Sequence, residues 1–168
     1  MSLKVHSATF YGADEMHEVK KGVYRHDSPT LVKGELTLRG KRYRYAFTRH
    51  IGYTGNFASS PDVWLVQKIV PSMLEDDDLY NIAFDLHDWL YSVKGEVTKP
   101  MITLGRSEAD DFMRGVARLS PTMQASRWAR FRCSCADLAV GLFAGGKAHW
   151  GNDTYGSMNK ADLVLEEL

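Results

Sequence analysis

The stretch from Gly34 to Phe47, GELTLRGKRYRYAF, reads as a β-hairpin and commits the first part of the chain to an antiparallel sheet. Leu36 and Leu38 alternate with Glu35, Thr37 and Arg39, and Tyr43, Tyr45 and Phe47 alternate on the way back. Period-two alternation gives each strand one apolar face. Arg39-Gly40-Lys41 lies between the two runs, where glycine suits a tight turn. The earlier segment LKVHSATFYG, residues 3–12, is also strand-like, and GYTGNFASSPD, residues 52–62, is a loop rich in turn-forming residues.

Beyond this loop the pattern becomes helical. PDVWLVQKIV, residues 61–70, has Ser59 or Ser60 as a cap, Pro61 in its first turn and Pro71 as its stop. EDDDLYNIAFDLHDWLYSV, residues 75–93, opens with acids that favour a helix N-terminus, and Gly95 ends it. RSEADDFMRGVARLS, residues 106–120, is a helix for which Ser107 is the expected cap, with Ala109, Phe112, Met113, Val116 and Leu119 on one stripe. SRWARFRCSCADLAVGLFAGG, residues 126–146, is the last long helix. VTKPMITLG, residues 97–105, joins two helices without a clear element of its own, and the tail 147–168 reads as polar loop with a short helix at KADLVLEEL. The expected fold is α+β: one domain over 1–168, with a small N-terminal antiparallel hairpin or sheet in 1–55, a body of about four helices in 61–146, and a tail.

Charge narrows the partners. Lys plus Arg number 21 and Asp plus Glu number 21, so no net charge draws the chain to nucleic acid or to an anionic membrane. SRWARFRC interleaves arginines with aromatics, a pattern that stacks bases in some proteins; here solvated arginines on an amphipathic helix explain it better. Cys133 and Cys135 point in different directions on a helix, which argues against a mutual disulfide and suits a reducing compartment. The start MSLKVHSATF lacks the pattern of a signal peptide.

The chemistry concentrates at AFDLHDWLY, residues 83–91, where His87 and Asp88 stand as a polar pair in a segment otherwise expected to be buried. Successive helical residues project about 100° apart, so the two are not expected to bond one another. Each needs a partner of its own, because a buried imidazole or carboxylate without one is costly. Glu108, Asp110 and Asp111 on the following helix are candidates to hold one ring nitrogen of His87 and leave the other to act as a base. The opposing reading is a buried hydrogen-bond network that fixes the fold.

Four pieces occur in one order: NFASSP at 56–61, LHDWLY at 86–91, RSEADDFM at 106–113 and AVGLFAGGKAHW at 139–150. Together they resemble the phage and bacterial family called domain of unknown function 1353, over about residues 50–150. The resemblance implies a phage or prophage origin, a place in the bacterial cytoplasm or the virion, and a phage or host protein as partner. It adds Phe57, Ser59, Tyr91, Glu108 and Trp150 to the motif positions. Asn56 and Gly141 stand where that family usually has Asp and Arg.

FDLHDWLY and then EADDFM are similar to the histidine helix of small calcium-dependent secretory phospholipases, of the form C-x-x-H-D-x-C-Y, and to the Asp of their second helix. That resemblance implies His87 as general base, Asp110 as the residue that orients it, Asp88 as a calcium ligand and Tyr91 as a supporting tyrosine. Asn56, in the adjoining glycine-containing loop, is a second candidate ligand. The flanking cysteines of those enzymes are missing. Two functions are open on these grounds. One is a small hydrolase in which His87 activates water. The other is a non-enzymatic phage accessory or virion-associated protein in which the same residues are structural.

Overall fold

A computed structural model of the chain describes residues 3–12, 15–20, 23–55, 78–97, 99–125, 127, 150–153 and 156–168. Among them, nine strands form three sheets, and three α-helices accompany them. The main sheet has the order β1-β4-β5-β9, from β1 (Lys4–Tyr11), β4 (Thr30–Leu38), β5 (Lys41–Arg49) and β9 (Ala161–Glu167). All three of its ladders are antiparallel. A second sheet joins β2 (Met16–Lys20), β3 (Val23–His26) and β6 (Thr54–Gly55), and a third pairs β7 (Glu96–Val97) with β8 (Ile102–Thr103). The helices are α1 (Asp78–Ser92), α2 (Arg106–Arg118) and α3 (Pro121–Ala125).

The predicted hairpin is the centre of the main sheet. Leu38 pairs with Lys41 across a two-residue turn in which Arg39 and Gly40 have φ of 50° and 86°. That backbone matches the twist of the strands it joins. Val32, Leu36, Leu38, Tyr43, Tyr45 and Phe47 are buried on one face. The helices contribute Ile82, Leu86, Leu90, Phe112, Met113 and Val116 to the same core. Tyr45 meets Phe112 edge-on at 5.0 Å between ring centroids, and Phe47 meets Trp89 at 5.9 Å. α1 ends where Gly95, at φ 73°, donates its N–H to Leu90 O at 2.7 Å. A side chain at Gly95 would strike Leu104 O, so only glycine fits this close approach.

The expected small hairpin with a four-helix body after it is corrected: among the described residues the molecule is mostly β, and strands also occupy the second half of the chain. The tail's expected short helix is strand β9. Ala161, Leu163 and Leu165 are buried while Asp162 and Val164 are less so, which is period two, and pairing along β5 gives that pattern a core to face. The connection 97–105 contains part of the β7–β8 hairpin. Ser107 does not cap α2: Gly105 is the N-cap, and Glu108 reaches back to accept its N–H at 2.8 Å. The helices expected over 61–70 and 126–146, with Cys133 and Cys135, lie outside the described residues, apart from Arg127.

Candidate functional site

α1 is buried on several sides. Ile82, Ala83, Phe84, Leu86, Trp89, Leu90 and Tyr91 are all in the core, so the polar groups among them must be partnered inside the protein. His87 faces α2. Its Nε2–H donates to Asp110 Oδ1 at 3.0 Å, and its Nδ1 lies 3.3 Å from Asp88 Oδ1. The expectation that His87 and Asp88 do not meet is corrected: flexible χ angles let the carboxylate fold back onto its neighbour's ring. Tyr91, one turn on, donates its hydroxyl to the same Asp110 Oδ1 at 2.8 Å. The His87 and Tyr91 rings are 4.2 Å apart, and Trp150 packs edge-on against Tyr91 at 4.9 Å. Gly151 N–H donates to Tyr91 O at 2.7 Å, which ties the segment after Trp150 to the end of α1.

Relative exposure separates the three polar groups. The His87 side chain is 12% exposed, that of Asp88 30% and that of Asp110 24%. Burial disfavours a charged imidazole, but the hydrogen bonds to Asp110 and Asp88, with their negative charges, outweigh it and push His87 up to about 9. At neutral pH it is an imidazolium between two carboxylates. Burial acts to raise Asp110, yet the hydrogen bonds from His87 and Tyr91 hold it below the usual carboxylate value. The Tyr91 hydroxyl is raised, first by burial and then by Asp110.

Glu108 is not brought to His87. It binds the hairpin turn: Arg39 Nε donates to Oε1 at 2.8 Å and Arg39 Nη2 to Oε2 at 2.6 Å. Burial acts to raise Glu108, and Arg39 and the Gly105 N–H together lower it. Asp111 pairs with Arg114 at 3.0 Å. Asn56, Phe57, Ser59 and His149 lie outside the described residues.

Of the two calcium ligands named from the sequence, Asp88 is among the described residues and Asn56 lies outside them. Among them no three His, Cys, Asp or Glu side chains gather as a metal site. Asp88 is already engaged with His87, and a hard cation takes roughly six to eight oxygens.

A second buried polar cluster lies on the other side of α1, at residues that carry no recognisable motif. Arg49 Nη1 donates to Asp85 Oδ2 at 2.5 Å, and Nη2 to Thr30 Oγ1 at 2.6 Å. The two charged side chains are 0% and 3% exposed. His26 Nε2 lies 3.5 Å from Asp85 Oδ2, and Tyr53 donates its hydroxyl to Asp85 O at 3.1 Å. A signal for it exists in the sequence: the inward alternation Tyr43, Tyr45, Phe47 continues to Arg49, and Asp85 interrupts the apolar run on α1.

Comparison of the chain with models of protein families, with curated proteins and with solved structures finds no match in any of the three. Among the described residues no helix is long and apolar enough to cross a membrane.

Proposed function

We propose that this is a phage or prophage protein with a small hydrolase site, in which His87 activates water and Asp110 orients it. The convergence of His87 Nε2 and Tyr91 Oη on one oxygen of Asp110 carries this reading. It fixes a proton on Nε2, so the imidazole exchanges its other proton at Nδ1. Asp88, the partner of Nδ1, is the most exposed member of the site, and its 3.3 Å contact is the longest. When Nδ1 loses its proton, that contact no longer attracts. Asp88 then turns toward solvent, and a water takes its place against Nδ1. Attack of that water on an ester or amide carbonyl sends its proton to Nδ1, which returns it to the leaving oxygen or nitrogen. The ordered motifs shared with the phage family support the origin, and the helix motif shared with the phospholipases supports the roles of His87 and Asp110.

Hydrolysis of a panel of aryl esters and peptide amides as a function of pH tests the proposal. Turnover is expected to rise with pH toward a plateau above about 9. It should fall by about a hundredfold or more in His87→Asn, the usual worth of a positioned base.

A specific observation favours the second reading, a structural clasp in a non-enzymatic phage accessory or virion-associated protein: both ring nitrogens of His87 are taken up by carboxylates and the ring is largely buried. A panel without His87-dependent turnover, in a wild type that is folded, would decide for the clasp.

A further inference from the structure

α1 carries charged groups on opposite sides. Asp85 and His87 are two residues apart, which places them about 200° apart around a helix axis. Asp85 faces β5 and the second sheet; His87 faces α2. The direction in which His87 points is therefore tied to whatever fixes the rotation of α1 about its own axis.

The apolar pattern alone marks no single inward face of α1, because the helix is apolar around most of its circumference. Close packing and the Trp89 Nε1–H bond to Met158 O also hold the helix. The Arg49–Asp85 contact is different in kind. The planar guanidinium has one amino group on Asp85 and the other on Thr30, so its own orientation is fixed from β4. Asp85 is held in turn by the Tyr53 hydroxyl on its backbone carbonyl. Gly55 comes so close that a Cβ there would stand 2.9 Å from Asp85 Oδ1. Turning α1 by even part of a residue step would break a buried ion pair, which is costly because it leaves charge in the interior.

We infer that the buried Arg49–Asp85 pair is a positioning device that sets the rotation of α1 and so aims His87 at Asp110. The device gives the reading of His87 as a working group its structural basis, but it stands or falls separately, because its test reads the His87 hydrogen bond rather than turnover.

The test replaces the pair by apolar residues of similar length, Arg49→Met with Asp85→Leu, a change that buried ion pairs often tolerate without loss of stability. The readout is the His87 Nε2–H proton resonance, whose exchange with water is slowed by the bond to Asp110. In a folded double variant this exchange is expected to be about tenfold faster or more, the mark of a bond opened by about 1.4 kcal/mol. Arg49→Lys with Asp85 retained should keep much of the protection. A folded double variant with unchanged exchange at His87 overturns the inference and leaves the pair a purely local feature. Should the double variant not fold, Asp85→Asn decides in its place: it removes the negative charge of the pair and keeps a side chain of the same shape. Faster exchange there supports the device, and unchanged exchange overturns it.

Discussion

The rings of His87 and Tyr91 lie 4.2 Å apart at an angle of 35°, one helical turn from each other on α1, and both send a polar hydrogen to Asp110 on α2. Two residues spaced i and i+4 share a helix face, so one carboxylate can serve both. The cost of burying Asp110 is offset by two donors, and the cost of burying an imidazolium by two carboxylates. The site thus joins α1 to α2 through charge as well as through packing.

This arrangement makes stability depend on pH with a definite sign. His87 is raised from 6.5 to about 9 on folding, so it binds its proton more tightly in the folded state. Its contribution is fully present below pH 6.5 and is lost as pH rises through about 9. A shift of that size corresponds to on the order of 3 kcal/mol, shared with Asp110 and not to be counted twice. Urea unfolding near pH 6 and near pH 10 should show wild type losing this amount, and His87→Gln losing much less. Equal losses in both proteins would disprove the linkage.

On the acid side the group to watch is Asp110. Its carboxyl is held low against burial by His87 and Tyr91, so its contribution is present above its unfolded value and is lost as pH falls through the lower folded one. Tyr91→Phe removes one of the two donors. The expected cost is about 1 kcal/mol at neutral pH, with the acid unfolding midpoint moved to higher pH. An acid midpoint that stays in place would mean that His87 alone holds Asp110.

The sequence is legible where one pattern determines one outcome. The period-two run from Gly34 to Phe47 can face the core only as a hairpin, and β4 and β5 have that register. The α1 and α2 helices are legible for the same reason, with period near four. The tail is not: ADLVLEE is short, its acids and leucines suit a helix as well as a strand, and only the unfilled edge of β5 makes it a strand. At the site, His87 and Asp88 stand out as a polar pair, whereas Asp85, though it breaks the apolar run, does not reveal its partner. Its partner Arg49 comes from a strand 36 residues away, and a long-range ion pair leaves no local spacing to read. Glu108 looks like a site residue because it shares a helix with Asp110, but its position at the start of α2 turns it toward Arg39 instead.

Glu108 and Arg39 should therefore behave unequally when truncated. Glu108 is largely buried and accepts from both Arg39 and the Gly105 N–H; Arg39 is half exposed. Arg39→Ala leaves Glu108 with the Gly105 bond and access to water, and the exposed side of the pair is screened, so the expected cost is up to about 1 kcal/mol. Glu108→Ala removes the acceptor of the Gly105 N–H at the start of α2 and leaves the guanidinium to the Thr103 carbonyl and water, for roughly 1–3 kcal/mol. Thermal or urea unfolding of the two single variants measures the order. Arg39→Ala proving the more damaging would show that the hairpin turn, not the helix start, depends on this contact.

Asp88 ties both readings of the site to one titration, that of His87. It raises His87 by a hydrogen bond and by its charge, and it is the less buried of the two carboxylates around the ring. Asp88→Asn removes the charge and keeps a side chain of the same shape. The imidazole should then titrate below 9 but above 6.5, because Asp110 still holds Nε2. Ring-carbon NMR of His87 across this range reads the change directly. If the site is hydrolytic, the alkaline limb of its rate profile should move toward neutrality with the same variant, since the group that loses its proton is the group that activates water. In either reading stability follows the same titration, so the alkaline loss of folding begins at lower pH; in a clasp this is the whole effect of the variant. A His87 titration unmoved by Asp88→Asn would contradict both, because it would mean that the 3.3 Å contact contributes nothing to holding the proton.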